Sequence, residues 1–151
     1  MRRLAATLAI ATVGLAACGP QAPKGVDKER LDDAVSGAIG DPASCLLIAE
    51  AGGKLVYRYN SHTACARELP ACDTPGSRTV DQLLKATLKD RQPRTLSCNT
   101  EADASRGVGW ASGVIPGKPD LVYAAMMEGQ RAFPGRMMAD RLARAFKKAG
   151  L

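Results

Sequence analysis

The chain predicts an α+β fold: an antiparallel sheet of about five strands covered by helices, in the order α-ββ-α-βββ-α, stapled by two disulfides. Three observations carry that expectation. Segments with apolar residues at helical spacing alternate with pairs of short apolar or alternating runs. The runs are joined by the Gly- and Pro-rich turn chemistry of hairpins. Four cysteines, Cys45, Cys65, Cys72 and Cys98, fall within the same stretch as these elements.

Leu31, Ala34, Val35, Ala38 and Ile39 recur at helical spacing among Asp27, Lys28, Glu29, Arg30, Asp32 and Asp33, which predicts an amphipathic helix stopped near Gly40-Asp41-Pro42. The acidic pair Asp32-Asp33 falls on its exposed side. Cys45 to Glu50 is a short apolar run suited to a buried strand. Ala51-Gly52-Gly53-Lys54 supplies a turn, and Leu55 to Tyr59 returns as a second strand. Asn60 to Gly76 reads as irregular. Thr79-Val80-Asp81-Gln82 has the form of a capping box opening a helix with Val80, Leu83, Leu84, Thr87 and Leu88 on one face. Arg94 to Asn99, Val108 to Ile115 and Leu121 to Met127 follow as strands, the last two joined by Pro116-Gly117-Lys118-Pro119-Asp120. A final helix from about Gly135 carries Met138, Leu142, Ala145, Phe146 and Ala149 as its apolar stripe. Met137 and Met138 read as core fillers, and Trp110 and Tyr123 as core residues of strands.

The N-terminus carries a different signal. Met1-Arg2-Arg3 is followed by Leu4 to Leu15, a run without charge, then by Ala16-Ala17-Cys18 and Gly19-Pro20. The pattern resembles a bacterial lipoprotein signal ending in an L-A-A-C lipobox. The resemblance implies cleavage before Cys18, a diacylglycerol on its sulfur and an acylated amine. It divides the chain into a signal peptide (1–17), a lipidated Pro- and Gly-rich tether (18–25) and one α+β domain (26–151). The apolar run is shorter than the roughly 20 residues of a spanning helix. Gly19 in place of aspartate after the acylated cysteine implies delivery to the outer membrane of a Gram-negative cell, facing the periplasm.

Loss of Arg2 and Arg3 leaves nineteen Lys and Arg against fifteen Asp and Glu. The one dense cationic cluster, Arg141, Arg144, Lys147 and Lys148, reads as the solvated face of the last helix, where cations also complement the helix dipole, with attraction to anionic lipid or cell-wall polymer as the lesser alternative. No basic stripe with interleaved aromatics argues for nucleic acid. An even number of cysteines beyond Cys18 implies two disulfides in an oxidising compartment, with three pairings open, of which Cys65–Cys72, closing a short loop, with Cys45–Cys98 is the local default. A zinc site from His62, Cys65 and Cys72 lacks the close ligand pairs such sites use, and no cofactor is expected. Tyr57, Arg58 and Tyr59 on the hairpin form the best candidate recognition group, because aromatic and arginine side chains dominate interface energetics.

Gly53-Lys54-Leu55-Val56-Tyr57-Arg58-Tyr59-Asn60 fits the hairpin form G-K-x-x-Y-x-Y-N, and Ser77 stands just ahead of the Val80–Leu88 helix. Asn99-Thr100-Glu101, Gly107 to Gly113 and Pro119 to Tyr123 follow in order. In these respects the mature chain resembles a reduced core of the serine β-lactamase and penicillin-binding (DD-peptidase) superfamily. The resemblance implies a nucleophile at Ser77 and a Lys-Thr-Gly strand at Asn99-Thr100-Glu101. It also implies that the first strand and the triplet strand are not neighbours, which favours Cys45–Cys65 with Cys72–Cys98. The departures are chemical. Val80 stands where the serine's lysine should accept a proton, Glu101 places an anion where the family binds a carboxylate, and the inserted helical domain is missing. The expectation is therefore a non-catalytic, lipid-anchored envelope protein that binds a periplasmic protein or cell-wall component. The alternative is a reduced serine hydrolase acting on cell-wall peptides through Ser77.

Overall fold

The computed structural model describes residues 21–41 and 43–151, so the expected signal peptide (1–17), Cys18 and Pro42 lie outside the described residues. In chain order the elements are α1 (Lys28–Ile39), β1 (Cys45–Glu50), β2 (Leu55–Tyr59), α2 (His62–Cys65), β3 (Leu69–Pro70), β4 (Ser77–Arg78), α3 (Val80–Asp90), β5 (Arg94–Asn99), β6 (Gly107–Ile115), β7 (Lys118–Gly129) and α4 (Gly135–Ala149). The architecture is α+β, as the sequence predicts. Five strands form one antiparallel sheet in the order β2-β1-β7-β6-β5, and β3 pairs with β4 in a small second sheet. The last strand inserts between β1 and β6, so the first strand and β5 lie apart.

The central strands read as continuous apolar runs because helices cover both faces. Tyr123, Ala125 and Met127 of β7 join Leu31, Val35, Leu142 and Phe146 under α1 and α4. Val122, Ala124 and Met126, the alternate residues of the same strand, join Leu83, Leu84 and Trp110 under α3. The period-2 alternation of a strand thus serves two cores at once. Trp110 is fully buried and Tyr123 nearly so, and the Tyr123 ring meets Phe146 edge-on at 5.2 Å between centroids.

Each long helix begins with the chemistry its sequence offers. The Asp27 carboxylate accepts from the Arg30 N–H at 2.8 Å, satisfying an orphan donor at the start of α1. At α3 the Thr79 hydroxyl accepts from the Gln82 N–H while the Gln82 side chain accepts from the Thr79 N–H, completing the predicted capping box. α4 has no side-chain cap. Its entry is fixed by close approach instead: a Cβ on Gly135 would strike the carbonyls of Trp110 and Leu96, and one on Gly109 would strike that of Phe133.

Several expectations are corrected. Met137 is 45% exposed rather than a core filler, since its neighbour Met138 takes the inward position on the helix. β7 begins at Lys118, so the predicted Pro116–Asp120 connection shrinks to a turn in which Gly117 adopts φ +77°. Asp32 is not simply solvated, because it accepts a hydrogen bond from the Tyr57 hydroxyl. The segment Asn60 to Gly76, expected to be irregular, holds α2 and β3, and β3 pairs with β4 just beyond it, each too short to show a periodicity.

Cys45 bridges Cys65 and Cys72 bridges Cys98, with Cα separations of 5.1 and 5.5 Å. The pairing is the one implied by the superfamily resemblance, and the short local loop Cys65–Cys72 is not closed. A Cys45–Cys98 bridge would have to reach across β7 and β6, about 14 Å at the usual strand spacing, beyond what a disulfide spans. Among the described residues, no helix is long and apolar enough to cross a membrane.

Candidate functional site

β2 is an edge strand, paired only with β1, and it divides the predicted recognition group. Tyr57 is fully buried. Its hydroxyl donates to Asp32 Oδ1 at 2.8 Å, and burial, reinforced by that carboxylate, raises its pKa far above the ordinary phenol value. Tyr57 therefore belongs to the core between α1 and the sheet and is withdrawn from the recognition group. The cause is positional: α1 covers one face of the edge strand, so the inward side chain there is enclosed. Arg58 and Tyr59 remain half-buried.

Arg58 lines two grooves at once. One, of about 280 Å³, is floored by Leu47 and Leu55 and walled by His62, Thr79 and Asp81. The other, of about 440 Å³, is shared with Tyr59, Asn60, Ser36 and the α1 residues Lys28 and Asp32. A guanidinium on a sheet edge between two grooves can recognise a carboxylate or a backbone carbonyl. Tyr59 adds an aromatic surface beside it.

Ser77 lies in β4, exposed, two residues ahead of the α3 N-cap. Its hydroxyl is 3.4 Å from Glu68 Oε2, a long hydrogen bond at best. Val80 is fully buried, and the ammonium of Lys85 is 2.7 Å from the Asp81 carboxylate one turn along the exposed face of α3. Among the described residues no lysine hydrogen-bonds the Ser77 hydroxyl, whose partner is Glu68. At the strand expected to carry the triplet, Asn99 and Glu101 are exposed and Thr100 is half-buried, its hydroxyl pointing to Glu128 Oε1 at 3.4 Å. Cys65 and Cys72 each belong to a different disulfide, so neither is a thiolate ligand beside His62. Among the described residues no group of three His, Cys, Asp or Glu side chains could hold a metal ion.

Sequence reasoning missed a polar cluster at the end of β7. Glu128 is 3% exposed. Arg106 donates to both its oxygens, at 2.8 and 3.0 Å, and Arg67 donates to Oε2 at 2.8 Å. These bonds, led by that from Arg106, hold the Glu128 carboxyl below the usual carboxylate range despite its burial. The cluster ties the α2–β3 segment and the β5–β6 loop to the sheet. The only hint in the sequence is one acid closing the apolar run Leu121 to Met127. On the same face Trp110 Nε1 donates to the Pro70 carbonyl at 2.9 Å, and Thr87 donates to Ser112 Oγ at 2.8 Å.

No family model matches this chain, and neither a curated protein nor a solved structure matches it. The site is therefore read from its own residues.

Proposed function

We propose that this chain is a lipid-anchored protein of the bacterial cell envelope, outer-membrane-bound and facing the periplasm. Its domain binds a periplasmic protein or cell-wall component rather than catalysing a reaction. The single observation that carries this reading is the run from the basic Met1-Arg2-Arg3 through uncharged Leu4–Leu15 to Ala16-Ala17-Cys18. Two disulfides within one small domain support it, because such bonds persist in oxidising compartments. The Arg58–Tyr59 edge, with a groove on either side, is the surface best suited to a partner. Cell fractionation of the wild type and Cys18→Ser tests the anchor: the wild type is recovered with the outer membrane, and the variant is not processed to the lipidated form. Equal processing and location of the two proteins would refute it.

A second reading, a reduced hydrolase of cell-wall peptides, draws on the placement of Ser77, exposed, ahead of α3 and beside the Glu68 carboxylate. Incubation with a fluorescent penicillin separates the two. A covalent adduct on the wild type that is lost in Ser77→Ala would replace the binding reading with the hydrolase.

A further inference from the structure

The domain has two ends, and the chain leading to the anchor leaves from only one of them. Pro23 is buried, the Val26 N–H donates to its carbonyl at 3.0 Å, and the turn they form shares a groove with Leu151. The same groove of about 570 Å³ is lined by Ala51 and Gly52 of the β1–β2 turn and by Gly117 and Lys118 of the β6–β7 turn. The two sheet turns, the Pro23–Val26 turn and the end of α4 therefore share one end. Glu128, Arg67 and Arg106 lie at the opposite end of β7, beside the Cys45 end of β1. Only Gly19 and Pro20 lie between Cys18 and Gln21, and five residue steps separate Cys18 from the groove residue Pro23, a reach of about 18 Å even when fully extended. A lipid on Cys18 thus holds the groove end within that distance of the bilayer.

The charge of this end fits the surface it would meet. Lys24 and Lys118 line this groove, exposed Lys54 closes the β1–β2 turn, and exposed Lys147 and Lys148 lie within about one turn of Leu151, Lys148 also lining the groove between α1 and α4 with Asp33; the exposed acids Glu50 and Asp120 stand against them. The acids at the start of α1, Asp27, Glu29 and Asp32, are offset in part by Arg30 and by Lys28, whose ammonium pairs with Asp32 at 2.5 Å. We infer that the end of the domain formed by the β1–β2 turn, the β6–β7 turn and the C-terminal turn of α4 docks on anionic phospholipid headgroups. The domain then stands on this end, and the Glu128 end points away from the membrane. Cationic side chains near an anionic surface are attracted within about a Debye length, roughly 8 Å at physiological salt; the tether brings them within reach of that range and the attraction holds them in it.

This inference rests on the lipid anchor, and the test separates the two. The full-length lipoprotein is reconstituted into vesicles containing phosphatidylglycerol, into phosphatidylcholine vesicles and into detergent, then acetylated briefly with an amine-reactive reagent. Peptide mass spectrometry reads each lysine, and the N-terminal peptide reports lipidation of Cys18. Labelling of Lys54, Lys118, Lys147 and Lys148 is expected to fall at least about threefold on phosphatidylglycerol relative to detergent, and less on phosphatidylcholine. Lys85, exposed on α3, is the internal reference and keeps its rate. The variant Lys118→Gln/Lys147→Gln/Lys148→Gln stays on the vesicles but loses the protection of Lys54. An unlipidated N-terminal peptide would overturn the anchor itself. A lipidated protein whose lysines all label at the detergent rate, or are protected equally on both lipids, would overturn the docking alone.

Discussion

The two faces of the sheet are closed by different means. Under α1 and α4 the core is built from regular helices whose apolar stripes meet the alternate residues of β1, β6 and β7, and no covalent link is used. The other face is covered by one helix, α3, together with the stretch 60–78, which has little regular structure of its own. Both disulfides, the Trp110–Pro70 hydrogen bond and the Glu128 cluster act on that stretch. An amphipathic helix secures itself by burial along its length. A short irregular segment buries too little, so cross-links and specific polar contacts must hold it.

The comparison can be broken first on the helical face. Phe146→Ala removes a fully buried ring shared by α4 and the sheet and is expected to cost about 3–5 kcal/mol, unfolding the domain as a unit. Denaturant titration reads this as a fall in midpoint with unchanged slope. Next comes the covalent face. Cys72→Ala/Cys98→Ala is expected to cost about 2–4 kcal/mol and to loosen the 60–78 stretch before the rest. Hydrogen exchange should show early opening there while α1 and α4 stay protected. Uniform opening across both faces would contradict the division of labour.

Glu128→Gln probes the polar share. Its expected cost is about 2 kcal/mol at neutral pH, because two guanidinium groups lose their counter-charge while both remain partly hydrated. The folded-state pKa of Glu128 lies below its unfolded value. Its stabilisation is therefore complete above the unfolded pKa of about 4.3 and is lost as pH falls through the lower folded value. The gap in stability between wild type and variant should hold steady at neutral pH and close in strong acid. The smallest effect belongs to Met137→Gln, which should leave stability within about 0.5 kcal/mol, since the side chain stands outside the core.

What could be read from the sequence follows the same division. The helices of the first face carry their period openly, β1 and β2 show as short apolar runs about a Gly-Gly turn, and the capping box marks the start of α3 to the residue. The other face is hidden because its contacts are long-range. Glu128 meets Arg106 across 22 residues and Arg67 across 61, and no local pattern announces either. Tyr57 reads as a surface residue in the sequence for a related reason. The run Leu55 to Tyr59 shows that a strand exists but not that α1 encloses Tyr57, a fact fixed by Asp32 some 25 residues earlier. At the candidate edge, Arg58 and Tyr59 are legible as residue types; the two grooves that flank Arg58 come from α1, α2 and α3 and exist only in the fold.

The most direct test is mass analysis of the protein taken from its native membranes, intact and after non-reducing digestion. A chain beginning at a triacylated Cys18, with Cys45 joined to Cys65 and Cys72 to Cys98, is the predicted result. A chain that still begins at Met1, with every thiol free, would contradict the account.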